Sequence, residues 1–276
     1  MTLDAHQHFW NYDSLRHEWI TPQMAKIRQD FMPEDLGTLL RKNDIEGCVA
    51  VQVDQTEEET LFLLGLADAH DFVKGVVGWV DFRDENVYKR LDYFSQFEKL
   101  KGFRHIVQAE PDDFLTRTDF VQGVRHLSEF DFSYDILIYP SQLAAAAFFV
   151  SQLPDVRFVV DHLAKPDIRT GAIAEWSKGI KRLASFPNVS CKISGMVTEA
   201  DWQHWQPSDL TPYLDVVVEA FGTQRLMFGS DWPVCLVAAE YKQVKDSINT
   251  YFSTFSATEQ QAVWGENARK FYKIEL

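Results

Sequence analysis

Eight short runs rich in Val, Ile and Phe recur along this chain, and the stretches between them carry apolar residues every three or four positions. The runs are Leu3 to Phe9, Gly47 to Val53, Val73 to Val80, Gly102 to Val107, Tyr134 to Ile138, Arg157 to Asp161, Val189 to Ile193 and Arg225 to Gly229. Leu36, Leu39 and Leu40 before Gly47, and Leu91, Phe94 and Phe97 after Val87, show the helical spacing. Strands alternating with helices build a parallel sheet, and eight such units in 276 residues are the size of one (β/α)8 TIM barrel. The reading is therefore an α/β chain with a single domain over residues 1–276. An open doubly wound sheet is the alternative, but no GxGxxG follows the first run. The last helical stretch, Ala257 to Tyr272, is expected to close the bottom or side of the domain.

The chain carries 27 basic and 41 acidic residues, a formal charge of −14, so its field repels phosphate backbones and anionic bilayers. Nucleic acid and membrane partners are not expected. The longest apolar run, Leu143 to Val150, is far short of the ~18 residues that span a bilayer. Asp4, His6 and His8 stand where a secretory signal would need a basic and then an apolar segment, and a cytoplasmic location is expected. Cys48, Cys191 and Cys235 form neither a disulfide framework nor a CxxC pair.

Barrel enzymes react at the C-terminal ends of their strands, so the polar residues that end the apolar runs are the candidates for chemistry. In Asp4-Ala5-His6-Gln7-His8, strand alternation puts His6, His8 and also Asp4 on one face. Two converging imidazoles suit metal ligation or polarisation of a carbonyl. The sixth run stops at Asp161-His162 and the eighth at Ser230-Asp231. A carboxylate at Asp231, across from two imidazoles, suits a general base for water, although a lone Asp can equally tie down a loop. Asp161 and Ser230 alternate with these residues and read as supporting or capping groups. In the fourth run Arg104 and His105 cannot both face inward. Arg104 is favoured as a substrate-facing cation, against a salt bridge to a rim carboxylate. Tyr139 ends the fifth run, and Lys192 either reaches a ligand or faces the helix layer. The long stretches Trp10 to Phe31 and Gly195 to Tyr213, rich in aromatic residues, read as walls or lids.

These stretches together resemble the amidohydrolase superfamily (amidohydrolase 2 type), in the sugar-lactone hydrolase branch typified by L-fuconolactonase and pyrone dicarboxylate lactonase. The matching motifs are Asp4-Ala5-His6-Gln7-His8-Phe9-Trp10, Gly102 to Gln108, Asp161-His162-Leu163-Ala164-Lys165-Pro166, Lys192-Ile193-Ser194-Gly195 and Phe228-Gly229-Ser230-Asp231-Trp232-Pro233, five in order between residues 4 and 233. The resemblance implies hydrolysis of a sugar-derived lactone, of the L-fuconolactone or L-rhamnonolactone type, with His6, His8, His162 and Asp231 as the central groups. Trp10, Trp202, Trp232 and Glu110 would hold the sugar ring and its hydroxyl groups, alongside Arg104, Tyr139 and Lys192. The fourth run ends in no Lys and the fifth ends in Tyr139 where metal-rich members place a His, so a binuclear site is not expected. One divalent metal, Zn²⁺ before others, held among His6, His8, His162 and Asp231, or no metal at all, is the expectation. The rivals are a decarboxylase on the same site and a non-catalytic barrel that binds a sugar acid.

Overall fold

In the computed structural model, which describes residues 1–275, eight strands follow one another around a parallel sheet in the order β1 to β8. They are β1 (Leu3–Gln7), β2 (Gly47–Val51), β3 (Val73–Gly78), β4 (Leu100–Ile106), β5 (Ser133–Leu137), β6 (Arg157–Val160), β7 (Val189–Ile193) and β8 (Leu226–Phe228). The sheet closes where Asp231 N–H donates to His6 O at 2.8 Å and His8 N–H donates to Trp232 O at 2.7 Å. All eight apolar runs are strands of one TIM barrel. Leu276, the last residue of the domain read over 1–276, lies outside the described residues.

Each strand sends alternate side chains to the two faces of the sheet. One set packs against the helices in the main core, and the other forms a smaller apolar cluster of Leu3, Ala5, Val49, Val51, Val77, Val159 and Met227 inside the barrel. Tyr272 and Ile274 seal that cluster from below. The expected closing helix is broken into a helix Ala257–Gln261, a π turn over 262–266 and a helix Asn267–Phe271. Gly265 in the π turn sits against the chain start, where a Cβ would lie 2.2 Å from Met1 O.

The stretch 195–213, read as a wall or lid, is helical from Pro207, where the helix Pro207–Phe221 begins. Gln206 N–H donates to Asp209 Oδ2 at 2.8 Å and proline fills the first turn, both of which start helices well. The stretch 10–31 stays irregular apart from a 3₁₀ turn at Pro22–Ile27, and folds back so that Trp10 and Phe31 exchange backbone hydrogen bonds. Among the described residues, no helix is long and apolar enough to cross a membrane.

Candidate active site

β1 does not keep the simple alternation that its sequence suggests. Its register with β2 shifts between Asp4 and Gln7, and such a bulge resets which side chains face inward. Ala5 and His6 therefore both serve the interior, while Asp4 turns outward to accept from Tyr241 Oη of the helix Tyr241–Phe252 at 3.0 Å and from Ser230 N–H at 2.9 Å. The expectation that Asp4 shares the face of His6 and His8 is corrected by this bulge. Burial without a cationic partner pushes its carboxyl up to about 6, even with those hydrogen bonds.

The other four central groups do converge. His6 Nε2 lies 3.2 Å from His8 Nε2, and Asp231 Oδ1 lies 3.4 Å from His8 Nε2 and 3.9 Å from both His6 Nε2 and His162 Nε2. All four side chains are buried. Desolvation lowers the pKa of each of the three imidazoles, so they are neutral near pH 7. Burial alone would raise Asp231, but His162, His8 and Lys165 outweigh it and hold the carboxyl below its ordinary value. Asp231 Oδ2 is buried with no hydrogen-bond partner among the described residues.

Strained backbone builds one wall of this centre. His162, Leu163, Ala164 and Lys165 all have positive φ, between 48° and 58°, a left-handed turn that costs L-residues about 1–2 kcal/mol each. The turn is held by Trp176 Nε1 donating to Leu163 O at 2.7 Å and by Ser194 Oγ 2.9 Å from His162 Nδ1. It brings Lys165 to Glu199 at 3.1 Å, within the field of Asp231. Gly195, at φ 60°, lies flat against the imidazole, and a Cβ there would stand 2.5 Å from His162 Nδ1. Gly195→Ala is expected to push His162 aside and lower turnover roughly 10²-fold, as ~1 Å misplacements do. Turnover and circular dichroism on one preparation check this, since the fold should survive.

Below the histidines lies a buried ionic layer. Arg104 Nη1 donates to Asp161 Oδ2 at 3.0 Å, and Lys192 Nζ lies 2.5 Å from Asp135 Oδ2, 3.0 Å from Asp161 Oδ1 and 3.1 Å from His6 Nδ1. Arg104 also donates to Gln52 O. Arg104 thus faces inward, but as the salt-bridge partner of Asp161 rather than a free cation. His105 points into the outer layer, stacked on Phe114 and held by Glu110 Oε1 at 3.0 Å. Lys192 is interior, which excludes the helix-layer reading, and it sits beneath His6. Asp161 is more central than a capping group, bridging His6, Arg104 and Lys192. Asp135 was missed, although an Asp inside the apolar run Tyr134 to Ile138 was a legible signal.

The aromatic candidates separate. Trp10 is buried with its ring centroid 6.5 Å from that of His8, and its Nε1 donates to Gln29 O at 2.9 Å. It lines a cavity of about 150 Å³ with Arg16, His17, Asp54 and Glu59, the last raised to about 7 by burial. Tyr139 is 45 % exposed on the rim, within the field of Lys165. Trp232 packs into the core against Phe9 and Phe31, so it has no free face for a sugar. Trp202 donates to Thr198 O at 2.8 Å and lines a surface cleft beside Gln243 and Asp246 of the helix Tyr241–Phe252. Glu110 is engaged by His105. None of these last three joins the histidine cluster, because each already has a packing or hydrogen-bonding partner elsewhere.

The amidohydrolase family model matches residues 3–274. The chain belongs to the amidohydrolase family. It is similar to an L-fucono-1,5-lactonase of Burkholderia multivorans, 38% identical over 99% of this chain and 96% of that one, and to another of Burkholderia ambifaria, 34% identical over the same shares. A crystal structure of an amidohydrolase from B. multivorans with bound zinc superposes with a TM-score of 0.96 at 38% identity, covering both chains fully.

Proposed function

We propose that this amidohydrolase opens a sugar-derived lactone, of the L-fuconolactone or L-rhamnonolactone type, with water activated at Asp231. The observation that carries the reading is Asp231 itself: an ionised, buried carboxylate with one oxygen unpartnered, set among three neutral imidazoles. Its relatives of 38% and 34% identity, both L-fucono-1,5-lactonases, supply the substrate class.

Asp231 Oδ2 takes a proton from water while the oxygen attacks the lactone carbonyl carbon. The negative charge that develops on the carbonyl oxygen is stabilised by a donor at the His6–His8 centre. When the intermediate collapses, the ring C–O bond breaks and the leaving alkoxide recovers the proton from Asp231. The product is a hydroxy acid, which ionises at neutral pH and releases one proton. Tyr139, exposed on the rim, is the side chain we assign to the sugar, while Trp10, buried beside His8, walls the centre.

The donor set fits one divalent cation. His6 Nε2, His8 Nε2 and Asp231 Oδ1 are separated by 3.2 to 3.9 Å, close to the edges of a tetrahedron with bonds of about 2.0–2.1 Å. A bound Zn²⁺ would polarise the carbonyl and acidify water. A second possible set, His6, Asp161 and His162, shares His6 and has Arg104 and Lys192 beside Asp161. Elemental analysis is therefore expected to find no more than one tightly held equivalent per chain, and two would contradict the assignment. A panel of sugar lactones followed with a pH indicator tests the reaction. Proton release on L-fucono- or L-rhamnonolactone supports it; no release, or carbon dioxide from an aromatic acid instead, would overturn it.

A further inference from the structure

His6 stands between a donor and an acceptor at each of its ring nitrogens. Nδ1 faces Lys192 Nζ at 3.1 Å and Asp161 Oδ1 at 3.2 Å, and Nε2 faces His8 Nε2 at 3.2 Å and Arg104 Nη1 at 3.4 Å. Ammonium and guanidinium groups only donate, and a carboxylate only accepts. His8 is already committed, because its Nδ1 lies 2.7 Å from Val51 O. A carbonyl accepts, so His8 carries its proton on Nδ1 and turns a lone pair toward His6.

A neutral His6 has one ring proton, and two arrangements follow. With the proton on Nε2, hydrogen bonds run in one direction, from Lys192 to His6, from His6 to His8 and from His8 to Val51. Two contacts are then mismatched, Arg104 at 3.4 Å and Asp161 Oδ1 at 3.2 Å, but Lys192 Nζ lies 3.0 Å from that carboxylate oxygen and can donate both to it and to Nδ1. With the proton on Nδ1, two lone pairs face each other across 3.2 Å and Lys192 opposes an N–H. That second form satisfies the other two contacts instead: Nδ1 donates to Asp161 Oδ1, which is buried and has no aligned hydrogen-bond partner among the described residues, and Nε2 accepts from Arg104. It is also the form a metal ion requires, since a ligating Nε2 must offer its lone pair.

We propose that Lys192 is a positioning residue that selects the Nε2–H form of His6 in the cation-free site, and that a divalent cation on His6, His8 and Asp231 shifts the proton to Nδ1, where Asp161 Oδ1 receives it. The proton count of His6 is unchanged, so its tautomer alone switches. Lys192 is itself fixed from below: Asp135 Oδ2 receives its ammonium at 2.5 Å, and Tyr272 Oη donates to the same oxygen at 2.8 Å. The C-terminal segment thereby reaches through the barrel floor to His6. In the cation-free site His6 Nε2 carries the N–H that donates to His8; in the loaded site it offers a lone pair to the metal.

Imidazole ¹⁵N NMR of the whole protein tests this, with the His6 signals identified by their loss in His6→Gln. After chelation, His6 is expected to carry its proton on Nε2, and one equivalent of Zn²⁺ should move it to Nδ1. Lys192→Met should show the Nδ1–H form without metal. It should also bind Zn²⁺ about tenfold tighter than Lys192→Gln, which loses the same charge but keeps a donor. An Nδ1–H form in the cation-free wild type would overturn the proposal, as would equal Zn²⁺ affinities of the Met and Gln variants. If Lys192→Met does not fold, the wild-type spectra with and without Zn²⁺ still decide. None of these readouts uses a lactone, so failure of the substrate assignment is distinguishable from failure of this one.

Discussion

Asp231→Asn should lower lactone turnover by at least ~10², the contribution expected of a general base, while the melting temperature stays nearly unchanged. The two effects separate because the loop is tied down by backbone. Asp231 N–H donates to His6 O at 2.8 Å, and Asp231 O accepts from Cys235 N–H at 2.8 Å; neither bond involves the side chain. Asp231 has φ 58°, and asparagine adopts that left-handed conformation more readily than most residues. The substitution therefore removes the proton acceptor and little else. The pH profile follows from the same carboxyl, which is held below its ordinary value of 3.8. The base is ionised above its folded pKa and lost as the pH falls through it, so carboxylate loss alone sets an acid limb below about pH 4. Turnover, melting temperature and pH profile on one preparation check the assignment. Near-normal turnover with a lowered melting point would make Asp231 a loop anchor instead.

Asp161→Asn is expected to be the costliest substitution for stability. It leaves Arg104 and Lys192 buried with one fewer counter-charge, and breaking a buried ion pair by removing one partner costs about 3–5 kcal/mol. For a domain of this size that lowers the melting temperature by roughly 10 °C. Lys178→Met, which breaks an exposed pair with Glu175, should leave the melting temperature in place. Burial would raise the Asp161 carboxyl, but Lys192, His6 and Arg104 hold it well below 3.8. Its stabilisation is thus fully present above pH 3.8 and disappears as pH falls through the folded value. The gap between wild type and variant should therefore persist from neutral pH down to about pH 4, measured by thermal melts. A gap that closes between pH 7 and 5 would contradict an ionised Asp161.

The barrel was legible in the sequence because each strand buries its own apolar run, so burial period and length are properties of contiguous residues. The positions of His6, His8, His162 and Asp231 at the strand ends were legible for the same reason. The bulge in β1 was not, since a register shift is decided by pairing with β2 and by Tyr241, 237 residues beyond Asp4 in the chain. The fates of Trp202, Trp232 and Glu110 were equally hidden: an aromatic or acidic residue at a rim reads as a ligand contact until its partner elsewhere in the chain is known. Sequence alone thus determined the fold, the family resemblance and the residue types at the centre. Only the tertiary structure decided which of their atoms face each other, because hydrogen-bond direction and ion pairing among Lys192, Asp135, Asp161, Arg104 and His6 depend on contacts between strands far apart in sequence.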